Sequence, residues 1–468
     1  MNQEVLYKYA DFIRQKGIKH INHGIKISRE EIHDQLFEFQ KDLVIWALRK
    51  GKAAVFAMTG TGKTIVQCEW AKHIHNKTGG KVLIVAPLAV SRQTVNESKM
   101  IDLNIKLCKD KTDVIDGINI TNYEKLDKFD LSVFEGVVLD ESSILKSYGG
   151  KTKTKIINSF ANTDYKLACT ATPSPNDYME LGNHAEFLNV MSSGEMLSMY
   201  FVHDGGETQK WRLKGHAKNI FWNWVSTWAA VVTSPRDLGY ETDLFDLPEL
   251  NVYEETVIVQ RDTFNGYLFD LPSETLQERQ RDRKTSLYDR CKKAAEIVNN
   301  SDEQFIVWCG LNDESKNLHK LISGSVEVKG SDKDSHKEES MLDFVEGNIK
   351  CLVSKPSICG FGMNFQKCRN MIFVGLSDSF EQYYQAVRRC YRFGQKRNVN
   401  VYIVISNLEG NVRSNIQRKE EQAENMINEM VKYTKDILNT EIEKQNIDSK
   451  EVKINNNINV PDWIKQEA

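Results

Sequence analysis

The sequence predicts an α/β protein of two tandem lobes, each a parallel sheet flanked by helices, and three observations carry that expectation. A short apolar run at residues 53–56 passes through Ala57-Met58-Thr59-Gly60-Thr61-Gly62-Lys63-Thr64 into a segment where Ile65, Cys68, Glu69 and Lys72 recur at helical spacing. Continuous apolar runs at 81–87 and 136–140 read as buried strands of a parallel sheet, which are covered on both faces and so need not alternate with polar residues. The strand–helix rhythm breaks over residues 176–250 and restarts at 305, which makes two sheets rather than one.

In chain order, residues 1–35 read as a helix (Val5, Tyr9, Phe12, Ile13) and a polar loop. An amphipathic helix follows at 43–49, with Gln40 just before it. Lobe 1 spans 36–250, with further strands at 118–121 and 165–168 and a helical, aromatic-rich insert at about 176–245. Within the insert, Phe221, Trp224, Val225 and Trp228 fall on one helix face and are expected to pack onto the lobe. Trp211 and Trp222 lie off that face, in a locally basic stretch (Lys210, Arg212, Lys214, Lys218), and offer stacking platforms for bases. The stretch 243–250, with Pro248, marks the boundary. Lobe 2, residues 251–410, begins with a charged helical segment at 274–299. It continues with strands at 305–309, 326–329, 350–354, 371–374 and 399–405. Residues 411–437 read as a charged helix, and the Asn/Lys/Glu-rich tail from 439 as mobile, with Pro461-Asp462-Trp463-Ile464 as a docking handle for a replication or recombination protein.

At 468 residues the chain is long for one core. Its net charge of -3 excludes a globally basic polyanion binder, so any nucleic-acid site must be a local stripe. Nine cysteines without a Cys-x-x-Cys pair, several inside apolar runs, read as reduced thiols packed as small hydrophobes and give no zinc site. No apolar run approaches membrane-spanning length and residues 1–19 do not read as a secretion signal. The expectation is a cytoplasmic monomer in a bacterial or phage-infected cell, with no membrane partner.

The chemistry gathers at strand ends. Gly60 and Gly62 let successive N–H groups turn inward at the start of a helix, forming an anion nest. Lys63 adds a point charge for β- and γ-phosphates, and the Thr64 hydroxyl is a ligand for Mg²⁺. Asp140 and Glu141 end a buried strand, where ligands of α/β sheets bind. The first suits Mg²⁺ held through water and the second the activation of an attacking water. An Asp-Glu pair is also ordinary helix-capping chemistry, but its place downstream of a phosphate loop favours the site. Thr170 and Thr172 could relay the state of the phosphate end. In lobe 2, Gly360–Asn364 and the run from Gln385 to Gln395 take the place of a second phosphate loop. There Arg389 and Arg392, three apart on one expected helix face, can reach one phosphate group together or brace their own helix.

With both lobes read, residues 36–405 resemble a superfamily 2 helicase core, and within it the Swi/Snf-type branch of DNA-dependent ATPases. The resemblance is carried by Ala57–Thr64, Ile84–Pro87, Asp140–Glu141, Thr170–Pro173, Gly360–Asn364 and Gln385–Gln395, whose ending Arg392-Phe393-Gly394-Gln395 is closest to that branch. The insert, with His203-Asp204-Gly205 and residues 211–216, resembles compact phage and prophage members. The resemblance implies two RecA-like lobes closing on ATP and Mg²⁺. It implies Gln40 as the adenine-reading glutamine, Thr59, Thr61 and Gly362 beside the nucleotide, and Arg392 as an arginine finger with Arg389 next to it. Pro87, Arg92, Asn122, Tyr123 and Asn364 would contact nucleic acid, with DNA, single-stranded or duplex, expected ahead of RNA. Two departures stand out: Ser142-Ser143 replaces Ala-His after the acidic pair, and Arg388 replaces an acidic residue. A nucleic-acid-dependent motor is the expectation. An ATP-gated clamp or loader is the alternative, and it has no use for both Glu141 and Arg392.

Overall fold

The computed structural model describes residues 23–146, 150–174, 177–203, 211–259, 283–359, 364–376, 379–407 and 410–443. The expectations for residues 1–22, Lys210, Gly362 and the tail beyond 443 lie outside the described residues.

The first sheet contains β1 (Lys52–Ala57), β2 (Lys81–Ala86), β3 (Lys106–Leu107), β4 (Ile118–Asn122), β5 (Phe134–Asp140), β6 (Tyr165–Thr170) and β9 (Ala229–Val232). Its order is β3-β4-β2-β5-β6-β1-β9, and every pairing is parallel. Side chains alternate across a strand, so each apolar run feeds two cores. Ala53, Val55, Ile84 and Leu167 pack with Leu43, Trp46 and Trp70 of helices Glu38–Lys50 and Lys63–Thr78 on one face. Ala54, Phe56, Leu83 and Leu139 pack with Phe187, Phe221 and Trp224 on the other.

The insert is mixed rather than simply helical. Besides helices Leu181–Phe187, Ser193–Tyr200 and Lys218–Ser226, it supplies the antiparallel pair β7 (Phe201–His203) and β8 (Trp211–Leu213). It also supplies the edge strand β9, whose four apolar residues follow the aromatic helix too closely to read as a separate element.

The second sheet contains β10 (Leu250–Val257), β11 (Phe305–Cys309), β12 (Ser325–Val328), β13 (Cys351–Ser354), β14 (Asn370–Val374) and β15 (Val399–Ser406), in the order β10-β15-β14-β11-β13-β12 and again wholly parallel. The sequence placed the boundary just before β10 without recognising the strand. Half-exposed, it carries Glu254 and Glu255, charges that suit an edge strand by discouraging further pairing. The 34-residue helix Gly410–Glu443 joins the lobes: Val412 and Ile416 lie in the lobe-2 core, Met426 and Met430 in a lobe-1 core. All nine cysteines are free and buried, as expected of small hydrophobes. Among the described residues, no helix is long and apolar enough to cross a membrane.

Candidate active site

β1 ends at Ala57 and the chain turns through two left-handed glycines, Gly60 (φ +95°) and Gly62 (φ +83°), into helix Lys63–Thr78. Glycine is required twice over. A Cβ on Gly62 would lie 2.2 Å from Gln40 Nε2, and one on Gly60 would lie 2.8 Å from the backbone nitrogen of Phe393 in lobe 2. The Ile65 and Val66 N–H groups close on the Gly62 carbonyl (3.1 and 3.2 Å), and those of Lys63 and Thr64 find no acceptor among the described residues. The Lys63 ammonium donates to the carbonyls of Ala57 (2.8 Å) and Met58 (3.4 Å), and burial pulls its pKa down. Gln40 is buried and braces the loop: its Nε2 donates to the Thr61 carbonyl (2.9 Å) while its Oε1 accepts from Phe37 N–H (3.0 Å).

β5 delivers the acidic pair. Asp140 Oδ1 accepts from Gln67 Nε2 at 2.7 Å and from Glu141 N–H at 3.1 Å. Asp140 Oδ2 accepts no hydrogen bond among the described residues. Glu141 adopts φ +53°, unusual for a residue with a side chain, and such strain is retained where the surroundings over-determine it. Its Oε2 accepts from Thr170 Oγ1 at 3.2 Å, so the end of β6 touches the acid directly. Burial raises both carboxyl pKa values.

Lobe 2 closes the site, with one correction to the expected geometry. Helix Phe380–Val387 ends before the arginines, so Arg389 and Arg392 sit in the turns beyond it and share no helix face. Arg389 is buried; its Nε donates to the Gln385 carbonyl (3.1 Å) and its Nη2 to Gln385 Oε1 (2.9 Å), and it lies close enough to Glu141 and Asp140 to interact electrostatically. Arg392 lies within electrostatic reach of Lys63. Burial and repulsion from Arg389 push its pKa down to about 10, and its Nε hydrogen-bonds nothing. Phe393 stacks on Phe245, centroids 4.5 Å apart, and Phe245 meets Phe37 and Phe39 edge-on next to Gln40.

The Ser142-Ser143 departure also acquires a geometry. Ser142 Oγ lies 3.1 Å from His184 Nε2, a buried imidazole whose pKa desolvation pushes down to about 4. Ser143 Oγ donates to Glu381 Oε1 of lobe 2 at 2.9 Å, and Lys146 pairs with the same carboxylate. Sequence reasoning missed Gln67, His184 and Glu381. A polar residue at a helix position that points at the acidic pair was the available signal for Gln67, whereas Glu381 is brought in only by tertiary contact.

The expected nucleic-acid contacts divide. Trp222 is fully buried, edge-on to Tyr178 and Phe221, so it packs core and offers no stacking face. The sequence assigned one helix face to the core, but the helix is covered on more than one side, by the sheet and by the C-terminal helix. Tyr123 is buried and donates to the Asp140 carbonyl at 2.7 Å, which makes it a support of the acidic strand end rather than a surface contact. Asn122 is buried as well. Pro87 and Asn364 are half-buried and Arg92 exposed. Trp211 is half-buried on β8 with its ring 4.3 Å from that of His203. Of the basic stretch, Lys214 donates to the carbonyls of Ser198 and Met199, and Lys218 pairs with Glu429 of the C-terminal helix.

The residues fit a nucleoside triphosphate with a divalent cation. Buried polar atoms without partners sit on the segments that meet here: Thr59 Oγ1, Thr172 Oγ1, Gln385 Nε2 and Arg392 Nε. Among the described residues no cluster of three or more His, Cys, Asp or Glu could hold a metal ion.

Residues 25–175 match the family model described as type III restriction enzyme, res subunit, and residues 289–394 match the helicase conserved C-terminal domain. No curated protein matches the chain. Among solved structures, S. cerevisiae Dbp5 bound to RNA and ADP BeF3 shares the fold at TM-score 0.51 and 13% identity, over 84% of this chain and 93% of that one. The two family matches together indicate a superfamily 2 helicase core, and the chain is an ATP-hydrolysing enzyme of the helicase and translocase class.

Proposed function

We propose that the chain is a DNA-dependent ATPase that moves along or separates DNA strands, in the manner of the Swi/Snf-type branch, and serves phage-type replication or recombination. The observation that carries the reading is the meeting of two lobes at one cleft, with Phe393 of lobe 2 against Gly60 of the phosphate loop. Lys63 and the loop amides would hold the β- and γ-phosphates, Thr64 and Asp140 would hold Mg²⁺, and Gln40 with the Phe245–Phe393 stack would border the base. The cation would neutralise charge on the phosphates. Glu141, kept near Thr170 and away from bulk water, takes the proton of the attacking water. Arg392, with one nitrogen unpartnered, is held ready for charge that develops on the transferred group, while Arg389 stays anchored by Gln385 and faces the acids.

Movement follows from closure. The lobes touch through Phe393 and through Ser143–Glu381–Lys146, so a change at the phosphate end alters how the lobes meet. A strand lying across both is then drawn along, and its affinity should be salt-sensitive and sequence-tolerant. Pro87, Arg92, Asn364 and Trp211 remain its candidate contacts. The test is the ATPase rate measured side by side with no nucleic acid, single-stranded DNA, duplex DNA and RNA. Stimulation by either DNA sustains the proposal; stimulation by RNA alone moves the chain to RNA, and none by any of them returns the clamp or loader.

A further inference from the structure

Helix Lys63–Thr78 carries a polar side chain where its surroundings suit an apolar one. Gln67 is fully buried, as are Val66, Cys68, Trp70 and Ala71 beside it in the chain. Taking an amide out of water is costly unless it is hydrogen-bonded, and methionine would fill the same space without that cost. Gln67 Nε2 donates to Asp140 Oδ1 at 2.7 Å, from the helix to the end of β5. The amide also neighbours the Cys169 thiol on β6, a weak partner. Its strong bond is to the acid.

Asp140 already accepts the N–H of Glu141 at 3.1 Å, and the Gln67 bond falls on the same oxygen, Oδ1. Two donors on one oxygen, one from the adjoining turn and one from the helix, fix how the carboxylate is rotated. Oδ2 is left as the oxygen that meets no described donor. Carboxylates that ligate a metal are themselves oriented by such hydrogen bonds. Gln67 also lies three residues after Thr64 and four after Lys63, so the three share one side of the helix. One amide therefore ties the helix that carries the Thr64 hydroxyl to the strand that carries the acid.

We propose that Gln67 is a positioning residue for the cation: it sets the rotamer of Asp140 so that Oδ2 and the Thr64 hydroxyl take one divalent ion together. The inference rests on the proposed reading of Asp140 and Thr64 as cation ligands. The test follows binding of a fluorescent, slowly hydrolysed ATP analogue to the full chain across a series of free Mg²⁺ concentrations, without nucleic acid. The parent is compared with Gln67→Met, which keeps the shape and removes the donor, and Gln67→Asn, which keeps the amide and cannot reach. Both variants should need about tenfold more Mg²⁺ for half-saturation, the scale of a lost outer-shell partner. At saturating Mg²⁺ their affinity for the analogue should return to the parent's, with the melting temperature near the parent's. A merely structural amide would move the other quantity, lowering affinity at every Mg²⁺ concentration while the midpoint stayed fixed, and that result overturns the proposal. So does a parent-like midpoint in Gln67→Met, or unfolding of both variants at the assay temperature, which would make Gln67 a core brace. A parent chain that binds the analogue with no dependence on Mg²⁺ would instead remove the cation site itself, and the role of Gln67 with it.

Discussion

In lobe 1 the strand β1 runs through Gly60 and Gly62 into a helix whose first two N–H groups, those of Lys63 and Thr64, take no acceptor among the described residues; in lobe 2 the strand β11 runs through Gly310 into helix Asn312–Leu321, where Glu314 takes the N–H groups of Gly310 and Leu311 for itself. The sheets are alike, parallel and buried on both faces. What differs is which group occupies the amides at a strand end. Open amides plus Lys63 make a phosphate nest, whereas amides closed by a carboxylate make a structural cap, and lobe 2 must then meet anions with side chains such as Arg392 and Arg389. On the proposed reading, one architecture yields a lobe that would hold the nucleotide and a lobe that would sense it, with the chemistry in the loops rather than in the fold.

The hardest blow to this division comes from lobe 1. Lys63→Ala should abolish ATP binding, read by titration of a fluorescent nucleotide. Glu141→Gln should keep binding and stop turnover, because only the base is lost; hydrolysis near the parent rate by Glu141→Gln would remove Glu141 from the role. Next in size is the packing of the lobe-1 outer face. Trp222→Ala should cost about 3–5 kcal/mol of stability, as large-to-small core changes do. Oligonucleotide affinity of the folded fraction should not change, and a loss of affinity without a fall in melting temperature would restore the stacking role. A smaller effect is expected at the contact between lobes. Glu381 is buried and joins Ser143 and Lys146, so Glu381→Ala should cut nucleic-acid stimulation about tenfold, the scale of a charge-assisted hydrogen bond, and leave the unstimulated rate intact. An equal drop in both rates would show that Glu381 supports Glu141 locally instead of coupling the lobes.

The fold was legible where residues carry their own constraint. Gly60, Gly62 and Lys63 admit few other local structures, and the runs at β2, β5 and β11 can be buried only as central parallel strands. β9 and β10 escaped because one follows an aromatic helix without a turn signal and the other, half-exposed and charged, lacks the apolar pattern of a core strand. In the site, the acidic pair and the arginines were legible as residues but not as geometry: the helix stops at Val387, which spacing alone could not show. Tyr123 and Trp222 misled for one reason, that an aromatic beside a functional loop looks the same in sequence whether it faces a ligand or the core.

The central claim is that lobe 2 contributes to the transition state and lobe 1 to the ground state, and Arg392→Ala tests it most directly. Single-turnover hydrolysis and ATP affinity are measured on the same protein, with and without the nucleic acid that stimulates the parent. The division of labour predicts a fall in turnover of about 10³-fold or more, the scale of a lost arginine finger, with ATP affinity nearly unchanged and stimulation gone. Equal losses of ATP affinity and melting temperature, with stimulation preserved, would contradict it and make Arg392 a brace for the turns beyond Val387.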